Sequence, residues 1–368
     1  MYNSFLPSVL IIADHRLGRS PSQRYRFEQY LDFFREEGFD WELSEIITEK
    51  DDRIFYAPGN HLKKAAILFK SLFIRWKDLR RAKNFDLIFI QREALLLGSS
   101  WFERQFHKRH QVVFDFDDSI WLLDTSPENK KFEFLKDPDK TKKNIGYAQA
   151  VIAGNDFLAT YARRFNDQVF VIPTTIDTTL HCPPVAEQPT FQKRKTVIGW
   201  SGSVSTIKHF EQVVPVLKRI CEAYPEQIEI HVIGQGIYAH PELNVVSKTW
   251  SAETEVACLQ TFDIGIMPLP DDEWVKGKCG LKGLSYMACG VATVMSPVGV
   301  NTEIIQHGVN GMLAGSADEW FDMLSRLIDD PALRAKLGKK GRQTVVEKYS
   351  VEANKHRYLQ ILKSLIKS

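Results

Sequence analysis

Two segments in the second half of the chain combine glycines with lysines in a way that suits a bound phosphate. The first, residues 199–208, reads GWSGSVSTIK and follows the apolar run 196–200. Small residues at a strand-to-helix turn let backbone N–H groups approach a phosphate, and the helix start and Lys208 add positive charge. The segment matches neither the dinucleotide-binding fingerprint nor the phosphate-binding loop, so an ordinary turn with a solvated lysine stays open as the alternative.

The second segment, residues 277–290, reads GKCGLKGLSYMACG. It predicts a glycine-rich helix start, a short helix and a glycine stop before the apolar run 291–296. Lys278 and Lys282 lie at the helix start, where cations are unfavourable against the helix dipole, so a bound anion would explain them. Tolerated lysines on a surface helix are the alternative. Together with Lys208, the two helix starts could hold a diphosphate from two sides.

Three aspartates, Asp115, Asp117 and Asp118, end the apolar run 111–116. Carboxylates in a D-x-D pattern bind divalent cations in some enzymes. The phosphate-type segments lie in the other half of the chain, so we expect no metal at this cluster. Asp117 instead lies at the carboxyl end of a strand, where open α/β sheets place their sites. A helix cap is the alternative for Asp115 or Asp118.

Two further sets of residues could bind a ligand. Arg19, Arg24 and Arg26 lie at the start of a predicted helix, where they suit an anionic ligand or are surface arginines. Trp250, just after a predicted strand, could stack on a nucleotide base, or it is a tryptophan of the core or surface that needs no ligand.

Residues 61–83 read HLKKAAILFKSLFIRWKDLRRAK and predict a basic amphipathic helix. Between Lys63 and Lys83 there are eight lysines and arginines against Asp78 alone. Such a helix suits an anionic membrane surface, and a helix packed on the sheet with a solvated basic face is the alternative. The apolar residues at helical spacing on one side are Leu62, Ala65, Ala66, Phe69, Leu72, Phe73, Trp76 and Leu79.

Apolar runs alternate with helical segments along both halves of the chain. This alternation predicts two α/β domains, each with a doubly wound parallel sheet, that face each other across a cleft. Residues 181–195 contain three prolines and no periodicity, which is typical of a linker. The predicted organisation is a first domain over 1–180, the linker 181–195, a second domain over 196–349, and a C-terminal helix over 350–368 that packs on the first domain. Ser20 and Pro21 are expected to begin a helix that ends at Gly38.

Composition narrows the class of protein. The chain has 368 residues, of which 44% are hydrophobic and 26% charged, as in ordinary globular proteins. The net charge of +2 argues against a globally basic nucleic-acid binder. The five cysteines form no C-x-x-C pair, which predicts neither a disulfide framework nor a zinc site. No apolar segment approaches the roughly 20 residues of a membrane-spanning helix. We therefore expect a cytoplasmic protein that is at most peripheral on the inner face of the cytoplasmic membrane.

Residues 277–299, 301–313 and 327–350 together resemble the signature regions of the retaining family-four glycosyltransferases, which have the GT-B fold. The resemblance extends over about residues 196–358. The first half is similar to a bacterial branch of that family in residues 20–26, 91–93, 114–121, 151–165 and 172–177. The resemblance implies transfer of a sugar from a nucleoside-diphosphate sugar to a hydroxyl of a glycan, lipid-linked or other acceptor. It implies retention of configuration, no cofactor and no required metal, and a role in bacterial surface polysaccharide or glycoconjugate synthesis.

The resemblance also assigns roles to residues. Lys208 keeps the position of a diphosphate-binding lysine, whereas Ser203 stands where the family has an arginine. Gly277 and Ser285 stand where the family has two glutamates, and Ser285 could make one hydrogen bond to the ribose. Lys278 and Lys282 are expected to replace the missing arginine. The expected donor-binding residues are Gly202, Ser203, Lys208, Trp250, Lys278, Gly280, Leu281, Lys282 and Ser285, and the expected catalytic residues are Asp117, Lys208 and Lys282.

Asp117 occupies the place of a histidine that many relatives use near the reacting sugar. It is expected to orient the donor sugar or to accept the proton of the acceptor hydroxyl. Two other functions stay open: a nucleotide-sugar epimerase of the same fold, and a descendant without catalytic activity that binds a sugar nucleotide or a partner protein. The absence of both family glutamates favours the second of these.

Overall fold

The computed structural model describes residues 6–57, 59–122, 137–184, 195–234 and 236–366. The chain divides into two units, one formed by Met1–Thr174 with Asn354–Ser368 and the other by Thr175–Ala353. The division falls before the predicted linker rather than within it. Most of that linker, residues 185–194, lies outside the described residues.

The first unit contains a six-stranded parallel sheet. Its strands are β1 (Ser8–His15), β2 (Asp40–Ile47), β3 (Leu87–Gln91), β4 (Gln111–Phe116), β5 (Ala150–Ala153) and β6 (Val169–Val171). Their order across the sheet is β2-β1-β3-β4-β5-β6, and all neighbours are parallel. β1 and β3 to β5 are buried and largely apolar because helices cover both faces of such a sheet, although β1 contains Asp14 and β4 contains Asp115.

The helices of the first unit differ from the prediction at one place. The helix expected from Ser20 to Gly38 is two short helices with a 3-10 turn between them, and Ser20 makes no side-chain cap. Tyr25, Arg26 and Phe27 are all buried, and three consecutive side chains cannot lie on one face of an α-helix. The helices are α1 (Pro21–Arg24), α2 (Leu31–Glu36), α3 (Glu49–Phe55), α4 (His61–Arg81), α5 (Trp101–His107), α6 (Lys140–Tyr147) and α7 (Asp156–Ala162), with 3-10 turns at Glu28–Tyr30 and Ala82–Asn84.

The second unit also contains a six-stranded parallel sheet. Its strands are β7 (Thr196–Ser201), β8 (Ile228–Gly234), β9 (Val245–Thr249), β10 (Ile264–Met267), β11 (Ala292–Met295) and β12 (Met312–Leu313). Their order is β12-β11-β10-β7-β8-β9. The described parts of both units are therefore α/β, with doubly wound parallel sheets as predicted.

The helices of the second unit begin with a 3-10 turn at Val204–Thr206. They are α8 (Ile207–Glu211), α9 (Val214–Ala223), α10 (Glu255–Leu259), α11 (Glu273–Lys276), α12 (Leu281–Ala288), α13 (Asn301–Ile304), α14 (Ala317–Asp329) and α15 (Pro331–Thr344), followed by a π-helical turn at Val345–Tyr349. The helical segment that begins at Ala317 is thus interrupted at Asp330. Asp330 ends α14 and caps α15, where Pro331 cannot continue the preceding helix.

The last helix, α16 (Val351–Ile366), carries the chain back into the first unit. Tyr358 and Leu362 are buried there, and the Tyr358 ring stacks on Tyr30 with 4.9 Å between ring centroids. Within the second unit, the Ile176 amide donates to the Tyr349 carbonyl oxygen (2.8 Å), and the Val351 amide donates to the Ile176 carbonyl oxygen (3.1 Å). No helix in the described parts of the chain is long and apolar enough to cross a lipid bilayer.

Candidate functional site

The strand order of the second sheet indicates where a ligand would bind. β8 and β9 lie on one side of β7, whereas β10, β11 and β12 extend on the other side. The order therefore reverses between β7 and β10, and open parallel sheets bind ligands outside the carboxyl ends of their strands at such a point. The two segments predicted to hold a phosphate follow β7 and β10.

The turn after β7 is tightly packed. A side chain at Gly202 would place its Cβ 2.7 Å from Thr206 Oγ1 and closer still to the Trp200 ring. The Gly202 amide donates to a carbonyl oxygen of β8 (2.9 Å), and the Ser203 amide donates to Thr206 Oγ1 (3.0 Å). Both amides are thus used within the protein. The exposed side chain of Lys208 is therefore the group that the segment after β7 can offer to an anion.

Glycines at the start of α12 lie against buried side chains. Gly280 has a φ of +71°, and a Cβ there would lie 2.3 Å from Ile304 Cδ1. A Cβ at Gly283 would lie 2.5 Å from Met295 Sδ. Packing therefore accounts for both glycines. The positive end of the α12 dipole lies at Gly280 and Leu281, where the first amides have no partner within the helix.

Three lysines from the two segments lie near one histidine. His209 is buried, and burial is the largest cause that lowers its pKa to about 4. The positive charges of Lys282, Lys208 and Lys278 lower this pKa further. His209 is therefore neutral at pH 7. The charges of all three predicted lysines thus act on His209, although the lysines come from segments about 70 residues apart in the sequence.

Two of these lysines lie over tryptophan rings. Lys282 Nζ is 5.5 Å from the centroid of Trp200, and Lys278 Nζ is 5.3 Å from the centroid of Trp274. A cation within about 6 Å of a ring centroid is attracted by the ring. These contacts help to hold two positive charges at the start of α12.

Tyr286 connects the end of β7 to α12. The Ser201 amide donates to the Tyr286 hydroxyl (2.8 Å), and the ring fits because Gly265 has no side chain.

The Ser285 hydroxyl donates to the Leu281 carbonyl oxygen (2.9 Å) and is buried. Ser285 can therefore offer a ligand only an acceptor lone pair, which makes the predicted hydrogen bond to a ribose a weak one.

Trp250 is half-buried just after β9. Its amide donates to the Gly234 carbonyl oxygen (2.8 Å). Its side chain packs against an apolar cluster that includes Ile233, Leu259 and Phe262. This packing explains why part of the Trp250 ring is buried. Stacking of the ring on a nucleotide base stays a prediction.

Sequence reasoning missed three residues of this region: His209, Tyr286 and Asn301. Asn301 is 1% exposed, and its Nδ2 donates to the Ser296 carbonyl oxygen (2.9 Å). Its Oδ1 has no hydrogen-bond partner among the described residues and would lie 3.8 Å from a Cβ built on Gly280. No spacing rule identifies these residues, because each is set by tertiary packing.

The three predicted aspartates of the first unit, Asp115, Asp117 and Asp118, are paired with arginines. Asp115 is fully buried and forms a bidentate ion pair with Arg26. Arg26 Nη2 lies 2.6 Å from Asp115 Oδ1, and Arg26 Nε lies 3.2 Å from Asp115 Oδ2. Arg26 is therefore neither an anion-binding nor a surface arginine. Arg19 is bonded to Asp52. In the described parts of the chain no three His, Cys, Asp or Glu side chains are grouped to hold a metal ion, and the absence of a metal requirement stays a prediction.

Asp117 is held by Arg92, with 2.7 Å between Asp117 Oδ1 and Arg92 Nη2. Burial opposes ionisation of Asp117, but the charges of Arg92 and Arg26 outweigh it and lower the pKa. Arg92 has a φ of +62°, which is uncommon for a residue with a side chain and is found at functional sites.

Asp14 lies near the carboxyl end of β1. The strand order of the first sheet reverses between β1 and β3, so Asp14 is at the place where such sheets bind ligands. Burial, and after it the charge of Glu93, raise the pKa of Asp14 to about 8. Its Oδ1 has no hydrogen-bond partner within the described segments. Perturbed carboxyls in such places are often functional. Sequence reasoning did not single out Asp14, since an aspartate that ends a strand looks the same whether buried or exposed.

The fold of the chain is found in solved glycosyltransferases. A sucrose-phosphate synthase from Thermosynechococcus elongatus superposes with a TM-score of 0.71 at 18% identity, over 98% of this chain and 99% of that one. HepE from Anabaena, solved with UDP-glucose, superposes with a TM-score of 0.62 at 14% identity, over 98% and 100%. Together with the two parallel sheets, these likenesses show a GT-B fold of two Rossmann-like domains.

Sequence comparison adds a family match within the second unit. Residues 195–330 match the family described as Glycosyl transferases group 1. The N-acetyl-alpha-D-glucosaminyl L-malate synthase of Bacillus anthracis is 35% identical over 79 residues, which are 21% of this chain and 21% of that protein. The D-inositol 3-phosphate glycosyltransferase of Pseudarthrobacter chlorophenolicus is 33% identical over 85 residues, or 23% and 19%. These alignments thus span about a fifth of each relative.

Proposed function

We propose that the protein is a glycosyltransferase that moves a sugar from a nucleoside-diphosphate sugar to an acceptor hydroxyl. The observation that carries the proposal is that the charges of Lys208, Lys278 and Lys282, from the segments that follow β7 and β10, all act on His209. The family of residues 195–330 supports it, and so does the nucleotide in the HepE structures, one with UDP and one with UDP-glucose. We further propose retention of configuration, a glycan or lipid-linked acceptor, and a role in bacterial surface polysaccharide or glycoconjugate synthesis.

In the proposed reaction the lysines stabilise the departing diphosphate. Negative charge on the diphosphate grows as the bond to the sugar breaks, so fixed positive charges bind the transition state more strongly than the ground state. The dipole of α12 at Gly280 and Leu281 acts in the same direction. These groups take the place of the arginine that is absent at Ser203. No metal or cofactor is needed for charge stabilisation of this kind.

Asp117 of the first unit is the proposed catalytic residue on the acceptor side. Its lowered pKa keeps it ionised at pH 7 but makes it a weak base. We therefore favour the role in which its carboxylate orients the donor sugar, rather than the role of proton acceptor.

The first experiment identifies the donor. The full chain is screened by thermal shift with UDP-, GDP- and dTDP-sugars, because a ligand that binds only the native state raises the apparent stability. Donors that bind are then tested for hydrolysis and for transfer to acceptors, and the anomeric configuration of the product is determined by NMR. Conversion of the sugar without acceptor would indicate an epimerase, and binding without turnover across the panel would indicate a descendant without catalytic activity.

The second experiment tests the lysine group. Lys282→Ala should weaken binding of the donor nucleotide about tenfold, since loss of one charge-assisted contact costs about 1.5 kcal/mol. Lys276→Ala is the matched control, because its ammonium lies 3.0 Å from Glu273 on the surface. Calorimetry measures both affinities, and equal affinity of the two variants would remove Lys282 from the donor site.

A further inference from the structure

Helix α4 packs on the first unit with a polar side. The residues that it buries are Ile67, Ser71, Arg75 and Asp78. Arg75 Nη1 lies 2.9 Å from Asp78 Oδ2, and Arg75 Nη2 donates to the Ala13 carbonyl oxygen (2.7 Å). The usual surface helix buries its apolar stripe and exposes its charges. In α4, by contrast, three of the four buried residues are polar, and Arg75 and Asp78 pair with each other. Packing on the first unit therefore does not explain why the other side of α4 is apolar.

The opposite side of α4 is apolar and exposed. Leu62 is 89% exposed, Phe69 72%, Phe73 59% and Trp76 48%. Their spacing places them on one helix face. Trp101 of α5 extends the row, since it is 42% exposed and its ring centroid lies 5.3 Å from that of Trp76. We call these five residues the α4 stripe. Single exposed apolar residues are ordinary, whereas a continuous row of this kind marks an interaction surface.

Lysines border the α4 stripe. Lys63, Lys70 and Lys77 recur every seven residues along one edge, and all three are exposed. Lys77 Nζ lies 4.6 Å from the centroid of Phe73. Of the acidic residues nearby, Asp78 is buried against Arg75, and Asp51 is bridged by Lys70. Since Lys70 is bridged to Asp51, the positive charge along this edge comes from Lys63 and Lys77.

We propose that the α4 stripe lies in the headgroup region of an anionic lipid bilayer, with α4 parallel to the membrane plane. Aromatic rings and leucine enter the apolar boundary, while the long lysine side chains reach the anionic headgroups beside them. Exposed tryptophans are the residues enriched at that depth. A bilayer fits better than a protein partner because the stripe combines aromatic residues with lysines along one edge, as helices that lie on anionic membranes do. The inference does not depend on the proposed function.

The test is flotation of the full chain with vesicles. We expect the chain to float with vesicles of phosphatidylcholine and phosphatidylglycerol, to bind vesicles of phosphatidylcholine alone much less, and to be released in part by high salt. The double variant Phe69→Glu, Phe73→Glu should reduce the bound fraction about tenfold or more, since it places two carboxylates at an anionic surface. Lys63→Glu, Lys77→Glu should reduce mainly the preference for anionic vesicles.

Ile237→Glu is the matched control, because Ile237 is an apolar residue of the second unit that is 84% exposed and is not part of the stripe. It should float like the wild type. Since the changed phenylalanines are exposed, we expect circular dichroism and Tm to be unchanged in the double variant. Flotation of that variant at the wild-type level would overturn the proposal, as would a wild type that never floats. A dimer that depends on Phe69, without vesicle binding, would assign the stripe to a second copy of the chain instead. Nucleotide binding, measured on the same samples, reports separately on the proposed function.

Discussion

His209 stays uncharged at pH 7 because its burial, and after it the charges of Lys282, Lys208 and Lys278, lower its pKa to about 4. A neutral imidazole beside three cations is a sensitive reporter of any anion that enters the site. Asp272 is the acidic neighbour that opposes the lysines. A bound diphosphate would act in the same direction as Asp272 and raise the pKa of His209.

The first prediction follows from this linkage. If the diphosphate raises the pKa of His209 above about 4, binding takes up a proton below neutral pH, and affinity rises as the pH falls from 7 towards 5. Because diphosphates titrate in this range too, the proton uptake of the wild type is compared with that of His209→Gln, which should take up fewer protons on binding. Calorimetry in buffers of different ionisation enthalpy measures the number of protons taken up. Equal uptake in both proteins would place the anion away from His209.

The second prediction concerns Asp117. Asp117→Asn removes the carboxylate but keeps its shape, and we expect kcat of transfer to fall about 100-fold or more, as is typical for the loss of a positioned catalytic group. Nucleotide affinity should be nearly unchanged. Asp137→Asn is the control, because Asp137 is paired with Lys143 on the surface. Turnover of Asp117→Asn at the control level would exclude Asp117 from the mechanism.

Sequence reasoning named the lysines of the candidate site but not the residues around them. Lys208 and Lys282 stand in recognisable segments, whereas the pairing of Arg26 with Asp115 joins residues 89 positions apart. Such a contact depends on how the strands are ordered in the sheet, which periodicity does not encode. The same limit applies to Asp14, whose chemistry comes from burial rather than from its neighbours in the sequence.

At the scale of elements, buried parallel strands were the easiest part of the fold to predict. β4 is buried and apolar apart from Gln111 and Asp115, and its predicted bounds are those observed. Helices were harder where packing overrides periodicity, as at Tyr25 to Phe27. For α4 the sequence located the apolar residues but left open which side faces the sheet, since that choice depends on the ion pair of Arg75 and Asp78.

The third prediction concerns the contact of α15 with the segment before β11. Alanine in place of a helical glycine usually stabilises by about 0.5–1 kcal/mol. At Gly338, however, the added Cβ would lie 1.9 Å from the Gly290 carbonyl oxygen, so the backbone must shift. We expect Gly338→Ala to destabilise by about 2–3 kcal/mol and to lower Tm by about 5–10 °C. Gly146→Ala in α6 is the control, since its Cβ would meet an ordinary contact at 3.9 Å. A thermal scan in which both variants match the wild type would contradict this account of the packing.

At the scale of the whole molecule, the two units are not two consecutive halves of the sequence. Composition and periodicity predicted two α/β domains, but the exact division depends on contacts of Thr175 and Asn354 that no local pattern reveals. The first unit is built from two separate stretches, with Tyr358 stacked on Tyr30 in its core.

The fourth prediction uses this arrangement. Removal of residues 354–368 deletes Tyr358, Leu359 and Leu362 from the core, and each contributes about 1.5–3 kcal/mol by burial. Their sum is a large part of the roughly 5–15 kcal/mol that stabilises a domain. We expect the shortened chain to lose the thermal transition of the first unit and to keep that of the second. A single transition at the wild-type temperature would show that α16 is dispensable.

The backbone bonds of Ile176 with Tyr349 and Val351 hold the two ends of the second unit beside each other. Topologically, that unit is an insertion into the first one, and its own chain is complete at Ala353. During synthesis, the ribosome therefore delivers every residue of the second unit before it delivers Tyr358. The first unit is therefore the first to begin synthesis but the last that can complete its fold. Until Tyr358 is synthesised, the apolar residues around Tyr30 are exposed to chaperones.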